Sequence, residues 1–197
     1  MLLSSRFTAA LGYTAELHAR QERKVSGVPY LAHLLRVAGI VLEYGGDEDA
    51  GIAALLHDAV EDQGGMPVLD EIRRRFGDAV AETVLGCSDA CTRPKPPWQA
   101  RKAAHVAHVR AASPAVRLVV AADKLDNARS LLREYRLRGE SLWNFFHGGR
   151  DGTFWYYRAM LAALKESGPA PLTDEFERTL EEIIRAAKWS PAENEEA

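Results

Sequence analysis

An apolar stretch of this chain carries ionisable side chains in its middle. The run Ile52–Val60 is interrupted by His57 and Asp58. Two more acids, Glu61 and Asp62, follow it directly. Burying a charged side chain costs roughly several kcal/mol unless the charge is paired or bound to a metal. The chain must therefore fold so that these side chains share one site where their charges are compensated.

The spacing of the four side chains indicates a helix. His57 and Glu61 are four residues apart, as are Asp58 and Asp62. Residues three and four apart lie on the same face of a helix, so one helix can direct all four into one pocket. Imidazole and carboxylate groups bind divalent cations, and further carboxylates beside them can handle protons. We therefore expect a metal site with an acid pair next to it.

Two other polar residues lie within apolar, helix-like segments. His33 follows Pro29-Tyr30 upstream, and Asp123 follows Val119-Val-Ala-Ala downstream. Together with His57 and Asp58 they form a candidate ligand set of two imidazoles and two carboxylates. Such a set suits Mn²⁺, Fe²⁺, Zn²⁺ or Ni²⁺ and does not select among them.

The order His, His-Asp, Asp resembles the ligand signature of the HD-domain superfamily of metal-dependent phosphohydrolases. A longer pattern resembles the hydrolase domain of RelA/SpoT-type enzymes and the stand-alone small alarmone hydrolases, over roughly residues 5–165. Its elements are Arg23-Lys24, Pro29-Tyr30-x-x-His33, His57-Asp58-x-x-Glu61-Asp62 and Asp123-Lys124-Leu125-x-Asn127. The resemblance implies an all-α HD-domain bundle with one divalent metal, Mn²⁺ by preference, among its core helices. It also implies that Glu61 and Asp62 are the catalytic pair.

The same resemblance suggests where a substrate binds. It assigns Arg23 and Lys24 to the nucleotide end, where a guanidinium plane can stack on a base and positive charge attracts phosphate. It assigns Asn127 to the nucleoside, and the spacing from Asp123 places Asn127 on the same helix face. Lys124 points elsewhere on that helix and can support Asp123 by a salt bridge.

Basic residues in two loops are candidates for the pyrophosphate end. Lys95 lies in the proline-rich segment Arg93–Pro97, and Arg150 lies in the glycine-rich segment Gly148–Gly152. Lys102 is a further candidate for the same role. The related enzymes carry basic residues at about these places.

The function implied is hydrolysis of guanosine tetra- or pentaphosphate alarmones to pyrophosphate and GDP or GTP. The chain departs from the common pattern at Gln63-Gly64-Gly65 and at Trp155-Tyr-Tyr-Arg158, which leaves the base open. An adenosine alarmone is therefore an alternative substrate. Another HD-type nucleotide phosphohydrolase, acting on mononucleotides, is a second alternative, and a metal-stabilised nucleotide sensor without turnover is a third.

Length and periodicity predict an all-α protein. At 197 residues the chain suits one domain, and the helical period recurs while strand patterns are scarce. We expect an HD-type domain over residues 1–168. A C-terminal helix with an acidic tail, residues 169–197, should pack on that domain. The helix that carries His57 to Asp62 should run unbroken to Gly64.

Composition excludes several classes. The chain has 25 basic and 28 acidic residues, a net charge of −3, which argues against a nucleic-acid partner. No apolar run approaches the roughly 20 residues that span a bilayer, and the N-terminus lacks a signal-peptide core. We therefore expect no membrane partner and a cytoplasmic location, while the oligomeric state stays open. Ordinary structural roles are expected for Cys87, Cys91, His18, His105, His108 and His147.

Overall fold

The computed structural model describes residues 2–89, 96–166 and 168–189. Over these ranges the chain is helical, apart from one isolated bridge between Glu22 and Pro29, and the all-α prediction is confirmed. A 3₁₀ segment, Gly139–Phe145, lies between the eighth and ninth α-helices. The α-helices are α1 (Ser5–Leu17), α2 (Leu31–Glu43), α3 (Glu48–Leu56), α4 (Ala59–Gln63), α5 (Met66–Phe76), α6 (Asp78–Cys87), α7 (Trp98–Ala111), α8 (Pro114–Arg138), α9 (Gly149–Lys165) and α10 (Ala170–Ala186).

Helix α3 forms the centre of the bundle. Every residue from Ala50 to Leu56 is buried, as expected for a helix that is apolar on all sides. It packs against α1, α2, α6 and α8. Because α3 leads directly into His57 and Asp58, the apolar core fixes the position of both side chains.

Helix α8 is the longest of the described helices, with 25 residues. The Ser113 hydroxyl caps its first turn by accepting a hydrogen bond from the Val116 amide at 3.3 Å. Pro114 occupies the first turn, where its missing N–H is not needed. The helix ends at Gly139, whose φ of +57° is a left-handed conformation that glycine adopts easily. At 1.5 Å per residue, α8 extends over about 37 Å.

The last described helix, α10, packs along α8 and α9. The Tyr44 hydroxyl donates to Glu175 at 2.5 Å and so ties the end of α2 to α10. The Trp189 indole N–H donates to Asp151 at 2.8 Å, and its ring lies 4.9 Å from that of Phe154. None of the helices in the described ranges is long and apolar enough to cross a membrane.

The structure corrects the prediction of one unbroken helix from His57 to Asp62. Helix α3 ends at Leu56, and the short helix α4 begins at Ala59. The His57 Nδ1–H donates to the Ala54 carbonyl at 2.8 Å. In a continuous helix that carbonyl would accept from the amide of Asp58. The His57 imidazole thus occupies the Ala54 carbonyl that the next helical hydrogen bond would use. The helix is interrupted at His57-Asp58.

Candidate metal centre and adjoining cavities

Four side chains from three parts of the chain converge in the core. His33 comes from α2, His57 and Asp58 from the turn between α3 and α4, and Asp123 from α8. His33 Nε2 lies 3.2 Å from Asp123 Oδ1 and 3.7 Å from Asp58 Oδ2. His57 Nε2 lies 3.0 Å from Asp58 Oδ2 and 3.6 Å from Asp123 Oδ1. The structure therefore brings together all four predicted ligands.

Hydrogen bonds fix which imidazole nitrogen faces the centre. His33 Nδ1 lies 2.6 Å from Asp126 Oδ2, an acceptor, so this nitrogen carries the proton. His57 Nδ1 donates to a backbone carbonyl in the same way. Among the described residues, neither Nε2 atom has a hydrogen-bond partner, although both are buried. Two buried, inward-facing ring nitrogens without partners indicate that a cation belongs between them.

The spacing of these atoms fits a divalent metal ion. Nitrogen and oxygen ligands lie about 2.0–2.2 Å from ions such as Zn²⁺, so neighbouring ligands are separated by about 2.8–3.6 Å. The four observed nitrogen–oxygen separations, from 3.0 to 3.7 Å, are close to that range. Mixed nitrogen and oxygen donors suit a transition metal. The geometry and the donor chemistry of this centre therefore fit a divalent metal ion, and His33, His57 and Asp58 could hold it together.

The charges at the centre also favour a bound cation. Burial would raise the pKa of Asp123, but Lys124 and the two imidazoles hold it well below its usual range. Burial would lower the pKa of His57, yet Asp58 and Asp123 raise it well above its usual range. The two ionised carboxylates thus attract positive charge strongly. The Tyr30 hydroxyl adds to the arrangement by donating to Asp58 at 2.6 Å, which orients that carboxylate.

A cavity of about 170 Å³ opens beside the centre. The acid pair Glu61 and Asp62 lines it from α4, next to His57 and Asp58. Asp62 accepts a hydrogen bond of 2.7 Å from the Gln21 side chain. The predicted water-activating acids therefore border the same space as the candidate ligands.

Two cations also line this cavity. They are Lys102 of α7 and Lys124 of α8, and the ring of His105 of α7 lines it as well. The amine of Lys102 lies 4.7 Å from the centre of the Tyr156 ring, and that of Lys124 lies 5.4 Å from it. Lys124 is buried and forms an ion pair of 2.7 Å with Asp123, as predicted for its support of that carboxylate. The prediction that Lys124 points away from the site was wrong, because its side chain lines this cavity. Acids and cations thus line one space in which an anionic group can lie.

A second cavity, of about 230 Å³, adjoins the first, and Tyr30 and Asn127 line both. Arg23 donates to Asn127 Oδ1 at 2.7 Å, and its guanidinium lies 5.6 Å from the centre of the Tyr30 ring. The amine of Lys24 donates to the carbonyl of Phe145 at 2.7 Å. Much of the wall is apolar, formed by Val25, Leu131, Leu142, Phe146 and Tyr157.

Other predicted site residues lie elsewhere. Arg150 pairs with Asp151 at 3.1 Å on the first turn of α9 and lines neither of these two cavities. Lys95 and Cys91 lie outside the described residues. The binding roles given to Lys95 and Arg150 stay predictions. Cys87 is buried with a free thiol whose pKa is raised by burial.

The sequence reasoning missed several residues of the site. Asp126 holds His33 in position and lies three residues after Asp123, within the same apolar segment. Asp89 binds Lys102 at 2.5 Å and also pairs with Arg101. Glu134, a buried acid of α8, lines the second cavity. Asp126 and Glu134 could have been found from the sequence, because each is an acid within a segment that has the apolar periodicity of a buried helix.

The fold and the centre define an all-α protein with a candidate divalent-metal site in its interior. A family model described as HD domain matches residues 10–154, and the chain belongs to this family. The guanosine-3′,5′-bis(diphosphate) 3′-pyrophosphohydrolase MESH1 of Xenopus tropicalis is 39% identical over 127 residues, 63% of this chain and 68% of that protein. An Aquifex aeolicus protein with the same enzyme name is 37% identical over 62% of this chain but only 17% of its own length.

A solved structure has a similar fold over nearly the whole chain. It belongs to a metazoan protein described as an ortholog of SpoT that hydrolyses ppGpp and plays a role in starvation responses. The TM-score is 0.75 with 28% sequence identity, and the match covers 94% of this chain and 97% of that one.

Proposed function

We propose that this protein hydrolyses guanosine 3′,5′-bis(diphosphate)-type alarmones in a metal-dependent reaction that leaves GDP or GTP and releases pyrophosphate. The observation that carries the proposal is the junction of two cavities. One holds the metal centre and the acid pair, the other has stacking and apolar walls, and Tyr30 and Asn127 border both. A nucleotide with a phosphate group at one end and a base at the other matches this arrangement. The names of the related proteins support the same substrate.

In this proposal His33, His57, Asp58 and Asp123 hold the ion, which we take to be Mn²⁺. When bound, such an ion polarises a phosphoryl oxygen and lowers the pKa of water. The acid pair then acts on the attacking water. The oxygen of this water adds to the phosphorus attached to the ribose 3′-oxygen, and a carboxylate of the acid pair takes a proton from the water. The bond from that phosphorus to the 3′-oxygen breaks, and the protonated acid returns its proton to the departing 3′-oxygen, which leaves as a hydroxyl group.

The remaining residues orient the substrate. Lys102 and Lys124 line the same cavity as the acid pair and neutralise the departing pyrophosphate. Arg23 offers a flat guanidinium for stacking on the base, and its hydrogen bond to Asn127 holds it beside the nucleoside. Holding both ends of the nucleotide keeps the scissile bond in line with the attacking water, which accounts for much of the rate enhancement in such sites.

The test is product analysis after incubation of the protein and Mn²⁺ with ppGpp, ppApp or GTP in parallel, resolved by anion exchange. We expect pyrophosphate and GDP from ppGpp. Pyrophosphate and ADP from ppApp alone would move the assignment to an adenosine alarmone. Phosphate release from GTP alone would point to a mononucleotide phosphohydrolase. Tight binding of ppGpp with no product would leave a sensor and overturn the proposed reaction.

A further inference from the structure

Helix α8 carries three polar residues of the site on one face. Asn127 and Glu134 lie four and eleven residues beyond Asp123. At 3.6 residues per turn these offsets return to within about 40° of the same direction. At 1.5 Å per residue, Asn127 is about 6 Å and Glu134 about 16 Å along the axis from the metal ligand. A nucleotide lying along this face with its 3′-phosphate at the metal would have its base near Glu134.

Glu134 is a buried acid in a mainly apolar part of the second cavity. Its side chain is only 8% exposed, and its neighbours in the wall include Leu131, Leu142 and Tyr157. An ionised carboxylate in such surroundings is costly unless it is hydrogen-bonded. Arg133 donates to Oε1 at 3.1 Å, and Arg138 donates to Oε2 at 3.1 Å. These bonds hold the carboxylate in place at the wall of the cavity.

The carboxylate retains capacity for a ligand. Its two oxygens offer about four lone-pair sites, of which the described hydrogen bonds from the two arginines use three. The Arg133 side chain is 54% exposed, so a ligand can replace its hydrogen bonds to Glu134 without disturbing the core. An ionised carboxylate accepts hydrogen bonds and cannot donate them. The ligand that suits this position must present N–H groups on its far edge.

We propose that Glu134 reads the base of the substrate and makes the protein selective for guanine, an inference that rests on the proposed function. The Watson–Crick edge of guanine presents N1–H and the 2-amino group side by side, both donors that a carboxylate accepts. Adenine presents an unprotonated N1 there, which a carboxylate repels, and hypoxanthine lacks the 2-amino group. The cavity, about 230 Å³, is smaller than the roughly 300–1,000 Å³ of sites that hold whole drug-sized ligands, so it suits one ring system.

The experiment compares kcat/KM for ppGpp, ppApp and the inosine analogue ppIpp in the wild-type protein and in Glu134→Gln. We expect the wild type to favour ppGpp over both others by at least about tenfold, the effect of a hydrogen bond to a charged group. Glu134→Gln should lose most of that preference through a higher KM for ppGpp, with a smaller rise for ppIpp, which keeps N1–H, and little change for ppApp. Glu82→Gln, the same substitution at an exposed acid of α6, is the matched control and should keep the preference.

Binding measurements keep the two proposals distinguishable. Calorimetric titration with GDP, IDP and ADP tests base selection without turnover, and thermal melting establishes that each variant is folded. If Glu134→Gln does not fold, Glu134→Asp, which keeps the charge but withdraws it from the base, replaces it and should also weaken the preference. Equal binding of GDP and ADP by the wild type, or an unchanged preference in the folded variant, overturns the role of Glu134. Guanine-selective binding without hydrolysis of any alarmone overturns the proposed reaction alone.

Discussion

Asp126 holds His33 in a ring orientation that points Nε2 into the metal centre. The carboxylate, 2% exposed, lies 2.6 Å from His33 Nδ1. Arg36 in turn binds both oxygens of that carboxylate, at 2.5 and 3.1 Å. Burial would raise the pKa of Asp126, but His33 and Arg36 hold it below its usual value, so it remains an acceptor. The chain from Arg36 through Asp126 to His33 therefore sets both the tautomer and the basicity of a candidate ligand.

This relationship predicts that Asp126→Asn weakens metal binding. Loss of such a carboxylate partner typically lowers metal affinity by roughly 10–100-fold. Titration of the metal-free protein with Mn²⁺ in a calorimeter measures the change. Asp174→Asn, the same substitution on the exposed surface of α10, serves as the control and should bind Mn²⁺ like the wild type. Wild-type affinity in Asp126→Asn would show that the hydrogen bond does not position His33.

Substitutions in the acid pair and substitutions of the metal ligands should affect metal content and turnover differently. Asp62→Ala should keep the metal and lose at least about 100-fold in turnover, because it removes a proton-handling group and no ligand. His57→Ala should lose both metal and activity. Metal content by elemental analysis and turnover of ppGpp give the two readouts. Asp70→Ala, at an exposed acid of α5, should change neither, and full activity in Asp62→Ala would remove that residue from the mechanism.

Gly148→Ala should destabilise the fold through Trp98. A Cβ at this glycine would lie 2.6 Å from the indole ring of Trp98. Trp98 is the first residue of α7, the helix that carries Lys102 and His105. Forcing an extra methyl group into such a contact costs about 1–3 kcal/mol. Gly39→Ala is the matched control, because a Cβ there meets nothing within 4 Å, and in the interior of α2 it should stabilise by roughly 0.5–1 kcal/mol. Urea denaturation measures both, and equal stability of the two variants would contradict the contact.

His105 should make the fold sensitive to acid. Burial, followed by the charges of Lys124 and Lys102, lowers its pKa to about 3, so the folded protein keeps this ring neutral. The unfolded chain takes up the proton near pH 6.5, and between these values it binds more protons than the folded state. The stability that depends on the neutral ring is therefore complete above about pH 6.5 and is lost as pH falls toward 3.

The variant His105→Phe tests this assignment. It should show a shallower fall in the free energy of unfolding over the acid range, measured by denaturant titration at several pH values. His147→Gln, at an exposed histidine, should follow the wild-type curve. A wild-type slope in His105→Phe would mean that other groups control acid unfolding.

The convergence of His33, His57, Asp58 and Asp123 could be predicted because each stands out as a polar residue in an apolar segment. Their order along the chain also matches a known signature. The all-α fold followed from periodicity in the same way. These properties are local, or depend only on the order of residues, and a single sequence displays them.

Other features depend on contacts that no local pattern displays. The interruption at His57-Asp58 arises because an imidazole takes a backbone acceptor, a competition decided by the surrounding packing. The bond from Arg23 to Asn127 joins residues 104 positions apart. The pairing of Asp126 with both Arg36 and His33 likewise depends on how α8 packs against α2.

The single long helix α8 limits how this protein can change over evolution. Asp123 and Asn127 stand one turn apart on a rigid rod, and no loop lies between them to absorb a difference in length. One inserted residue would rotate everything beyond it by about 100° and shift it by about 1.5 Å. Insertions and deletions in this segment should therefore be eliminated by selection. Descendants of the gene can acquire a new substrate here only by exchanging side chains at fixed positions.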